Sequence, residues 1–480
     1  MTAPSPVLEL RNTFQRGITR PLRWRRDQLR ALRRLLLDNE DALTAALHDD
    51  LHKSATEALM TEIGVVVTEI EHTLSHLRRW LRPRRVLVPA KLQPARARIV
   101  REPLGVVLVI APWNYPVQLV LGPLVGALGA GNTVVLRPSE LAPATSRVLA
   151  DLVPRYLDHR AVRVVEGGVD ATQAMLSERF DHIFFTGSGR VGRIALEAAA
   201  PNLTPVTLEL GGKSPLWIDD TADLEVAARR IAWGKFVNAG QTCVAPDFVL
   251  TTPQCRPVLE AALTEAITHL FGPDPQRSPD YARIISADHL TRLTKFLDDG
   301  TVVAGGLVDE SDRYLSPTVL SDVDPNSDIM EQEIFGPILP IVEVADVDAA
   351  IAFINERDKP LALYVFTGSA STRRRFQERT SSGAIVSGTT ILHPAVPALP
   401  FGGVGSSGMG AYHGERSIAN FSHDKAVFDK PFHPDLTRLI EPPYSRFGRW
   451  LVRLLSTMRL TPSRPAATVA RGGFNTKGSR

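Results

Sequence analysis

Cys243 is the residue of this sequence best placed to act as a nucleophile. It lies in the segment Asn238-Ala-Gly-Gln-Thr-Cys243-Val-Ala-Pro-Asp247, between a predicted helix and a predicted strand. A cysteine in such a loop can lie close to backbone amides, which lower the pKa of the thiol and bind a developing oxyanion. The alternative is a buried, inert cysteine. The second cysteine, Cys255, lies in a polar turn and is interpreted as structural.

Two further segments could hold the other participants of such a reaction. Asn114, in Pro112-Trp-Asn-Tyr-Pro116, follows a predicted strand, at the sheet edge where open α/β sheets bind ligands. Its amide can donate to an anion, although an asparagine at this place can also cap a turn. The segment Phe184–Gly192 has GxGxxG spacing and leads into a predicted helix, whose N-terminus can accept a pyrophosphate. That spacing alone is a weak signal, and a tight turn explains it equally well.

Two carboxylates stand where a general base could act. Glu209 ends an apolar predicted strand just before Gly211 and Gly212, and Glu333 lies in Met330-Glu-Gln-Glu-Ile-Phe-Gly-Pro337. Either could activate a water molecule by accepting its proton. Simple solvation is the alternative for a glutamate at a strand end.

The composition excludes several functional classes. The 480 residues carry a net charge of only +3, which is too weak to indicate binding to nucleic acid. The arginine clusters at 23–26 and 82–85 are interpreted as solvated helix ends. Two cysteines cannot form a disulfide framework, and the first 14 residues carry charges where a signal peptide is apolar. A cytoplasmic protein is therefore expected.

The predicted elements must place these residues at one site. Residues 5–80 have helical periodicity, and an extended connector covers 86–100. Strands and helices then alternate from 102 to 210, as in a doubly wound parallel sheet of the dinucleotide-binding type. A second α/β alternation runs from 216 to about 385. The uncharged run 103–136 is long enough to cross a membrane, but its prolines and glycines favour a buried strand, a helix and another strand.

Taken together, these segments resemble the aldehyde dehydrogenase superfamily over about residues 10–430. The strings that carry the resemblance occur in family order and are PWNYP, RPSE, FTGS, LELGGKSP, NAGQTCVAPD, EQEIFGPILP and LPFGGVGSSGMG. TRPL near the N-terminus, CVAPD after the cysteine, and YHGERS followed by FSH resemble the class 3 branch, which includes fatty, aromatic and coniferyl aldehyde dehydrogenases.

The resemblance implies an aldehyde dehydrogenase-like α/β fold with a Rossmann-type cofactor domain (1–81 and 101–210) and a second α/β catalytic domain (211–394). It also implies a small bridging element for oligomerisation (82–100 and 395–435). The remaining residues, 436–480, are expected to form an amphipathic segment and a disordered tail from Ser463.

The resemblance also implies roles for individual residues and implies no metal ion. Cys243 would be the nucleophile and Asn114 an oxyanion donor, with Glu209 or Glu333 as the base for the hydrolytic water. The residues expected to bind NAD are Trp113, Arg137, Ser139, Glu140, Gly187, Ser188, Gly192, Leu210, Glu333 and Phe335. Arg137 replaces the lysine usual in the family, and its planar fork suits a phosphate. NADP is therefore a second candidate cofactor, although the charge of Glu140 would repel the additional phosphate.

The favoured substrates are medium- or long-chain aliphatic or aromatic aldehydes, which would be oxidised to acids through a thioester on Cys243. One alternative is a coenzyme A-acylating enzyme on the same fold, and another is a non-enzymatic structural protein. A homodimer is expected from the resemblance. The basic, amphipathic segment 446–460 is expected to pack on protein or to contact the inner membrane surface peripherally.

Overall fold

The computed structural model describes residues 5–89 and 92–457. The helices that it describes are α1 (Pro6–Gln15), α2 (Leu22–Asp38), α3 (Glu40–Leu51), α4 (Ala55–Ala58), α5 (Gly64–Trp80), α6 (Gln118–Ala130), α7 (Pro143–Tyr156), α8 (Val169–Ser177), α9 (Gly189–Ala199), α10 (Leu224–Phe236), α11 (Arg256–Phe271), α12 (Ala287–Lys295), α13 (Asp328–Glu331), α14 (Val347–Asn355), α15 (Ala370–Arg379), α16 (Gly414–Asn420) and α17 (Arg446–Thr457). A π-helical turn, Leu59–Ile63, joins α4 to α5.

The strands in the described residues are β1 (Arg84–Val86), β2 (Arg96–Pro103), β3 (Val106–Ile110), β4 (Thr133–Arg137), β5 (Val162–Val164), β6 (His182–Thr186), β7 (Val206–Glu209), β8 (Pro215–Ile218), β9 (Phe248–Thr251), β10 (Thr301–Ala304), β11 (Val308–Asp309), β12 (Tyr314–Leu315), β13 (Thr318–Ser321), β14 (Ile338–Glu343), β15 (Ala362–Phe366), β16 (Ala384–Ser387), β17 (Gly408–Met409) and β18 (Ser422–Asp429). The alternation of strands and helices predicted from 102 onwards is confirmed.

A six-stranded sheet carries the first set of candidate residues. Its order is β17-β7-β6-β3-β4-β5, and all neighbours are parallel except β17, which runs antiparallel to β7. In this register Ile110 lies opposite both Arg137 and Phe185, and Thr186 lies opposite Glu209. The carboxyl ends of these strands therefore share one edge, and the loops that follow them meet there. The uncharged run 103–136 forms β3, α6 and β4, as predicted.

A seven-stranded sheet carries the second set. Its order is β10-β13-β14-β9-β8-β15-β16, and it is parallel except for β10. The Cys243 loop joins helix α10 to strand β9, which are the helix and the strand predicted on either side of it. All four residues of β8 and of β9 are buried, as strands covered on both faces must be.

Chain contacts divide the molecule into two compact units, of which the larger comprises Met1–Arg82 and Arg101–His423. Both large sheets belong to it. Within it, the interpretation of the first arginine cluster as fully solvated is wrong for Arg25. That side chain is buried, and it donates to the carbonyls of Thr19 and Gly129 at 3.3 Å. The cluster includes a face of α2 that packs inward, which charge alone does not reveal.

The smaller unit comprises Pro83–Val100 and Asp424–Arg480. The strands β1, β2 and β18 form a three-stranded sheet in that order, and α17 follows. The predicted helix in 446–460 is confirmed over Arg446–Thr457, whereas 458–460 and the tail predicted to be disordered lie outside the described residues. Over the part of the chain that the structure describes, no helix is long and apolar enough to cross a bilayer.

Candidate active site

The backbone before Cys243 is bent sharply and fastened by the side chain of Gln241. Asn238 and Ala239 have φ values of 53° and 50°, in the left-handed region. The Gln241 amide nitrogen donates to the carbonyls of Asn238 and Arg283 at 3.0 Å, and its oxygen accepts from the Ile285 N–H at 2.9 Å. Three hydrogen bonds from one buried amide thus hold the loop that presents the cysteine.

Two tyrosines fasten the residues on either side of Cys243. The Tyr115 hydroxyl lies 2.7 Å from the Thr242 hydroxyl. The Tyr364 hydroxyl donates to the carbonyl of Val244. Both tyrosine rings are buried, so the positions of the flanking residues are set by packing as well as by hydrogen bonds.

The thiol of Cys243 is protonated at neutral pH in this structure. Burial and the nearby carboxyl groups of Glu333 and Glu209 raise its pKa to about 12, and the backbone N–H groups of Cys243 and Val244 only partly oppose this. The loop amides lower the thiol pKa, as expected, but burial and the two carboxyl groups raise it by more. Desolvation of a thiolate outweighs two amide dipoles. The cysteine consequently needs a base to become a nucleophile.

Asn114 lies on the loop after β3 and faces the cysteine loop. Its side-chain nitrogen donates to the carbonyl of Gln241 at 3.0 Å. An amide nitrogen carries two hydrogens, so the second remains for another acceptor. The side-chain oxygen of Asn114 is buried and has no hydrogen-bond partner in the structure. Asn114 and Cys243 line the same cavity, as an oxyanion donor and a nucleophile must.

Glu209 is the last residue of β7, and its carboxyl group is almost completely buried. Neither of its oxygens has a hydrogen-bond partner. Burial raises the pKa of this carboxyl well above its usual range. Burial therefore favours the neutral form of Glu209.

Glu333 differs from Glu209 because polar groups surround it. Burial raises the pKa of Glu333 to about 7, while the N–H of Gly212 and the charges of Lys213 and Arg292 act to lower it. A carboxyl group with a pKa near 7 is close to the optimum for a general base at neutral pH.

The chain on both sides of Glu333 is anchored by an ion pair between Lys213 and Asp247. The ammonium of Lys213 donates to the carbonyl of Gln332 at 2.9 Å, and the carboxylate of Asp247 accepts from the N–H of Ile334 at 3.0 Å. The two residues that flank Glu333 are thus held by one pair of opposite charges, which restricts the positions available to its carboxyl group.

Two cavities meet at the cysteine. The first, of about 870 Å³, is lined mainly by apolar side chains. The second, of about 720 Å³, begins at the edge of the six-stranded sheet. Both are lined by Cys243 and Glu209, together with Leu119, Thr186 and Leu210. Asn114 and Glu333 line only the second. Cys243 therefore lies where the contents of the two cavities can meet.

The second cavity fits a dinucleotide end. The residues predicted to bind the cofactor that line it are Trp113, Gly187, Ser188, Leu210, Glu333 and Phe335. Ser188 caps α9, so the N-terminus of that helix lies beside the cavity, where an anionic phosphate is favoured. Gly192 allows α9 to pack closely against the sheet, because a Cβ there would lie 2.9 Å from the Leu210 side chain.

The RPSE residues lie apart from that cavity. Arg137, Ser139 and Glu140 follow β4 and do not line either of the two cavities. Arg137 is only 1% exposed, and its guanidinium donates to the carbonyls of Pro138, Gly167 and Gly168. The fork that the sequence suggested for a phosphate therefore binds the chain itself in this structure.

No group of three or more histidine, cysteine, aspartate or glutamate side chains within 5–89 and 92–457 is arranged to hold a metal ion. The chemistry available at the site is that of a cysteine, an amide and two carboxyl groups.

This arrangement has counterparts among known proteins. The family model described as the aldehyde dehydrogenase family matches residues 11–427. The chain belongs to the aldehyde dehydrogenase family. This aldehyde dehydrogenase is 49% identical over 437 residues to aldehyde dehydrogenase family 3 member B1 of Homo sapiens, covering 91% of this chain and 93% of the relative. It is 47% identical to aldehyde dehydrogenase family 3 member A2 of Mus musculus over 440 residues, which cover 92% of this chain and 91% of the relative.

Solved structures agree with the family. A substrate-bound AldH of Staphylococcus aureus superposes with a TM-score of 0.91 at 42% identity, covering 94% of this chain and 98% of that one. An NAD-dependent aldehyde dehydrogenase of Sinorhizobium meliloti superposes with a TM-score of 0.81 at 29% identity. The superposition covers 89% of this chain and 88% of that one. The predicted fold is confirmed, and the chain is an oxidoreductase that converts aldehydes to acids with NAD(P). These comparisons give no support to the coenzyme A-acylating alternative.

Sequence reasoning missed the residues that position the site. Tyr115 lies within a string already singled out, so its proximity to the cysteine loop could have been expected. Gln241 precedes Thr242 and Cys243 and could also have been found. Lys53 lies on a polar segment far from the motifs, and its zero exposure has no signal in the sequence.

Proposed function

We propose that this aldehyde dehydrogenase acts on medium- or long-chain aliphatic or aromatic aldehydes, with Cys243 as its nucleophile. The observation that carries the proposal is the position of Cys243 at the junction of an apolar cavity and a cavity that suits the cofactor. An aldehyde whose apolar body fills the first cavity places its carbonyl carbon beside the sulfur.

The lining of the first cavity supports this substrate class. Its described lining includes no lysine, arginine or histidine, so it offers no cation to an anionic substrate. The apolar side chains that line it are Met60, Val65, Leu119, Leu210, Trp233, Val244, Leu361, Ile391, Leu392, Pro394, Ala395 and Phe401. Burial of apolar surface contributes about 0.8 kcal/mol for each methylene group, which favours longer chains until the cavity is full.

The proposed chemistry uses the side chains in a fixed order. An ionised carboxyl group at the site takes the proton of the Cys243 thiol, and the thiolate attacks the aldehyde carbon. The resulting oxyanion accepts hydrogen bonds from the Asn114 amide and the Cys243 N–H. A nicotinamide held in the second cavity by residues such as Trp113 and Phe335 would supply the acceptor for the hydride that leaves that carbon. A thioester on Cys243 remains, and water releases the acid once a carboxylate takes its proton.

We assign the role of general base to Glu333 and not to Glu209. A base must be ionised, and the pKa of Glu333, raised by burial to about 7, permits this at neutral pH. Glu209 has no donor to stabilise its charge, and burial raises its pKa well above the usual range. Glu209, whose neutral form burial favours, lines both cavities and can hydrogen-bond the attacking water.

NAD is proposed as the preferred cofactor over NADP. The two terminal nitrogens of Arg137 are engaged with backbone carbonyls, and Glu140 is about 42% exposed beside it. An exposed carboxylate repels a 2′-phosphate, and the arginine that could compensate is occupied. The division into a cofactor domain, a catalytic domain and a bridging element also stays a proposal, with the predicted boundaries.

The substrate assignment is tested by a panel of aldehydes. The values of kcat/KM should rise from acetaldehyde to about decanal and be high for benzaldehyde. Succinate semialdehyde serves as the matched anionic control and should be at least about a hundredfold poorer than an uncharged aldehyde of similar length, because no cation offsets its desolvation. A preference for the anionic aldehyde would overturn the assignment.

A homodimer is proposed from the class 3 resemblance. Within the smaller unit, β18 is an edge strand of the three-stranded sheet, and edge strands present unpaired backbone groups to other chains. Sedimentation equilibrium of the full chain at micromolar concentration is the test. A monomer under those conditions would contradict the proposal.

Peripheral contact with an anionic membrane is proposed through α17. Phe447 and Trp450 are each 56% exposed, and Arg446, Arg449 and Arg453 lie on the same helix. Exposed aromatic residues between arginines suit the boundary of a bilayer that contains anionic lipid. The cytoplasmic location expected from the sequence stays a prediction.

The membrane proposal is tested with vesicles of neutral lipid that contain or lack phosphatidylserine. The full chain should sediment with anionic vesicles, and Trp450→Glu should reduce the bound fraction several-fold. Leu203→Glu is the matched control, since Leu203 is 90% exposed and belongs to the larger unit. Equal binding of the chain and its Trp450→Glu variant would exclude α17 as the contact.

A further inference from the structure

A completely buried ion pair lies beneath the loop that carries Asn114. The ammonium of Lys53 is 2.6 Å from a carboxylate oxygen of Glu62, and both side chains have zero exposure. Lys53 follows α3, and Glu62 belongs to the π-helical turn between α4 and α5. Neither residue lines the two cavities that meet at Cys243.

The pair holds the Asn114 loop at both of its ends. Lys53 donates to the carbonyl of Asn114 at 2.8 Å. The second oxygen of Glu62 accepts from the N–H groups of Val117 and Gln118, at 3.0 and 2.9 Å. These amides lie at the start of α6, where a carboxylate is favoured by the helix dipole. The loop from Asn114 to Gln118 is thus clamped between one cation and one anion.

The clamp also includes the tyrosine that fastens the cysteine loop. The ammonium of Lys53 lies 4.0 Å from the centre of the Tyr115 ring, within the range of a cation–π interaction. The hydroxyl of that tyrosine lies 2.7 Å from Thr242, next to the nucleophile. Lys53 therefore contacts the backbone of the oxyanion donor and the ring that supports the nucleophile loop.

Stabilisation of the fold does not by itself explain why this charged pair is buried. Two charges lose their hydration when they are buried, and well-packed apolar residues often stabilise a protein as well or better. What apolar residues cannot supply is a fixed donor for a carbonyl and a fixed acceptor for two N–H groups. Geometry is therefore the property that this pair contributes.

We propose that Lys53 and Glu62 are positioning residues that aim the Asn114 amide at the oxyanion, an inference that rests on the proposed role of Asn114. They do not touch the substrate. They fix the main chain of Asn114, while Gln241 accepts one hydrogen of its amide, so that the other hydrogen points at the reacting centre. A displacement of the donor by about 1 Å can reduce the rate of the chemical step by about a hundredfold.

The test is a double-mutant cycle that needs no cofactor. Acylation of Cys243 by p-nitrophenyl acetate also passes through an oxyanion, and it releases p-nitrophenolate, which is measured in the pre-steady state. Lys53→Met and Glu62→Gln are made in the natural chain and in an Asn114→Ala background. In the natural chain each should slow acylation by about tenfold to a hundredfold. In the Asn114→Ala background each should slow it by less than about threefold, because the donor is already absent.

Two controls separate positioning from general damage. Alkylation of Cys243 by iodoacetamide forms no oxyanion, so its rate should stay within about twofold in Lys53→Met and Glu62→Gln. Arg25→Met removes another buried cation that donates to main-chain carbonyls, and it should leave acylation unchanged. If Lys53→Met fails to fold, Glu62→Gln keeps the side-chain shape and supplies the same comparison.

The outcomes distinguish failure of this proposal from failure of the role proposed for Asn114, on which it rests. Equal losses in both backgrounds, or a parallel loss of alkylation, would overturn the positioning role while leaving Asn114 as the donor. An unimpaired Asn114→Ala variant would overturn the assigned role of Asn114, and the positioning proposal with it. Loss confined to the natural chain supports the proposal.

Discussion

The backbone of Gly211 lies directly against the carboxyl group of Glu333. A Cβ at Gly211 would lie 2.6 Å from the carboxyl carbon of Glu333, so no larger residue fits while that carboxyl keeps its place. The residues before and after Glu333 in the chain are also fixed, because Lys213 and Asp247 hydrogen-bond to their backbones. The absence of a side chain at Gly211 therefore leaves the space that the carboxyl group of Glu333, the proposed base, occupies.

Gly211→Ala should displace the Glu333 carboxyl and lower kcat by about tenfold to a hundredfold. Folding should be little changed, because the colliding atoms are the end of one flexible side chain. Gly168→Ala is the matched control, since a Cβ there meets no atom within 4 Å. Steady-state kinetics and thermal unfolding of both variants are the measurements. Full activity in Gly211→Ala would show that the position of Glu333 does not limit turnover.

Cys243→Ala should abolish aldehyde oxidation and preserve NAD binding, because the nucleophile is lost while the cofactor cavity remains. Cys255→Ala is the control, because Cys255 is buried at the start of α11 and lines neither of the two cavities. NADH formation and cofactor binding by fluorescence are measured for both. Retention of a tenth of the natural turnover in Cys243→Ala would contradict the assignment.

The pH dependence of turnover should report Glu333. A base acts when it is deprotonated, so kcat/KM should rise with pH through about 7, the value to which burial raises the pKa of Glu333. Glu333→Gln should lower activity and remove this rise. Glu209→Gln should keep the rise, because burial raises the Glu209 pKa well above the usual range and its proton is retained. A rise near pH 7 that disappears only in Glu209→Gln would reverse the two roles.

Glu57 should make the fold less stable as the pH rises. Burial raises its pKa from 4.5 to about 7, so the native state holds this proton more tightly than the unfolded chain. Stability present below about pH 4.5 is therefore lost as the pH rises to about 7, by at most about 3 kcal/mol. Glu57→Gln should remove that loss and unfold at a higher temperature than the natural chain at pH 8.

The control for that measurement is Glu265→Gln, which removes an exposed carboxylate from α11 and is not among the charges that act on Glu57. It should leave the pH dependence of unfolding unchanged. Differential scanning calorimetry at pH 5 and pH 8 supplies the comparison. If the unfolding temperature changes equally between pH 5 and pH 8 in Glu57→Gln and in the natural chain, Glu57 is excluded as the cause of the pH-dependent loss of stability.

Arg137→Lys tests the cofactor preference. The natural chain should favour NAD over NADP in kcat/KM, because the arginine donors are engaged by Gly167 and Gly168. A lysine has one donor group instead of a fork and cannot bind all of these carbonyls at once. The variant should lose thermal stability and keep its preference for NAD, since Glu140 remains. A natural chain that prefers NADP would contradict the proposal.

The sequence by itself determined the α/β class, the order of the elements and the residues proposed as reacting groups. These depend on local information: apolar runs specify buried strands, glycine and proline mark the turns, and the motif strings stand at strand ends. The helix and the strand on either side of the Cys243 loop, α10 and β9, follow from such patterns. Asn114 and Glu209 could be expected at one edge, because each stands at the carboxyl end of a parallel strand.

Only the tertiary structure decided the ionisation of those groups and the means by which they are held. The pKa of Cys243 depends on burial and on carboxyl groups that lie far away in sequence. Arg137 looks like a phosphate ligand in the sequence, yet its donors face carbonyls some 30 residues away. Lys53 looks like an ordinary surface charge on a polar segment, and nothing near Glu62 in the sequence marks it as the partner of Lys53. The physical reason is the same in each case, because desolvation and long-range contacts exist only after the chain has folded.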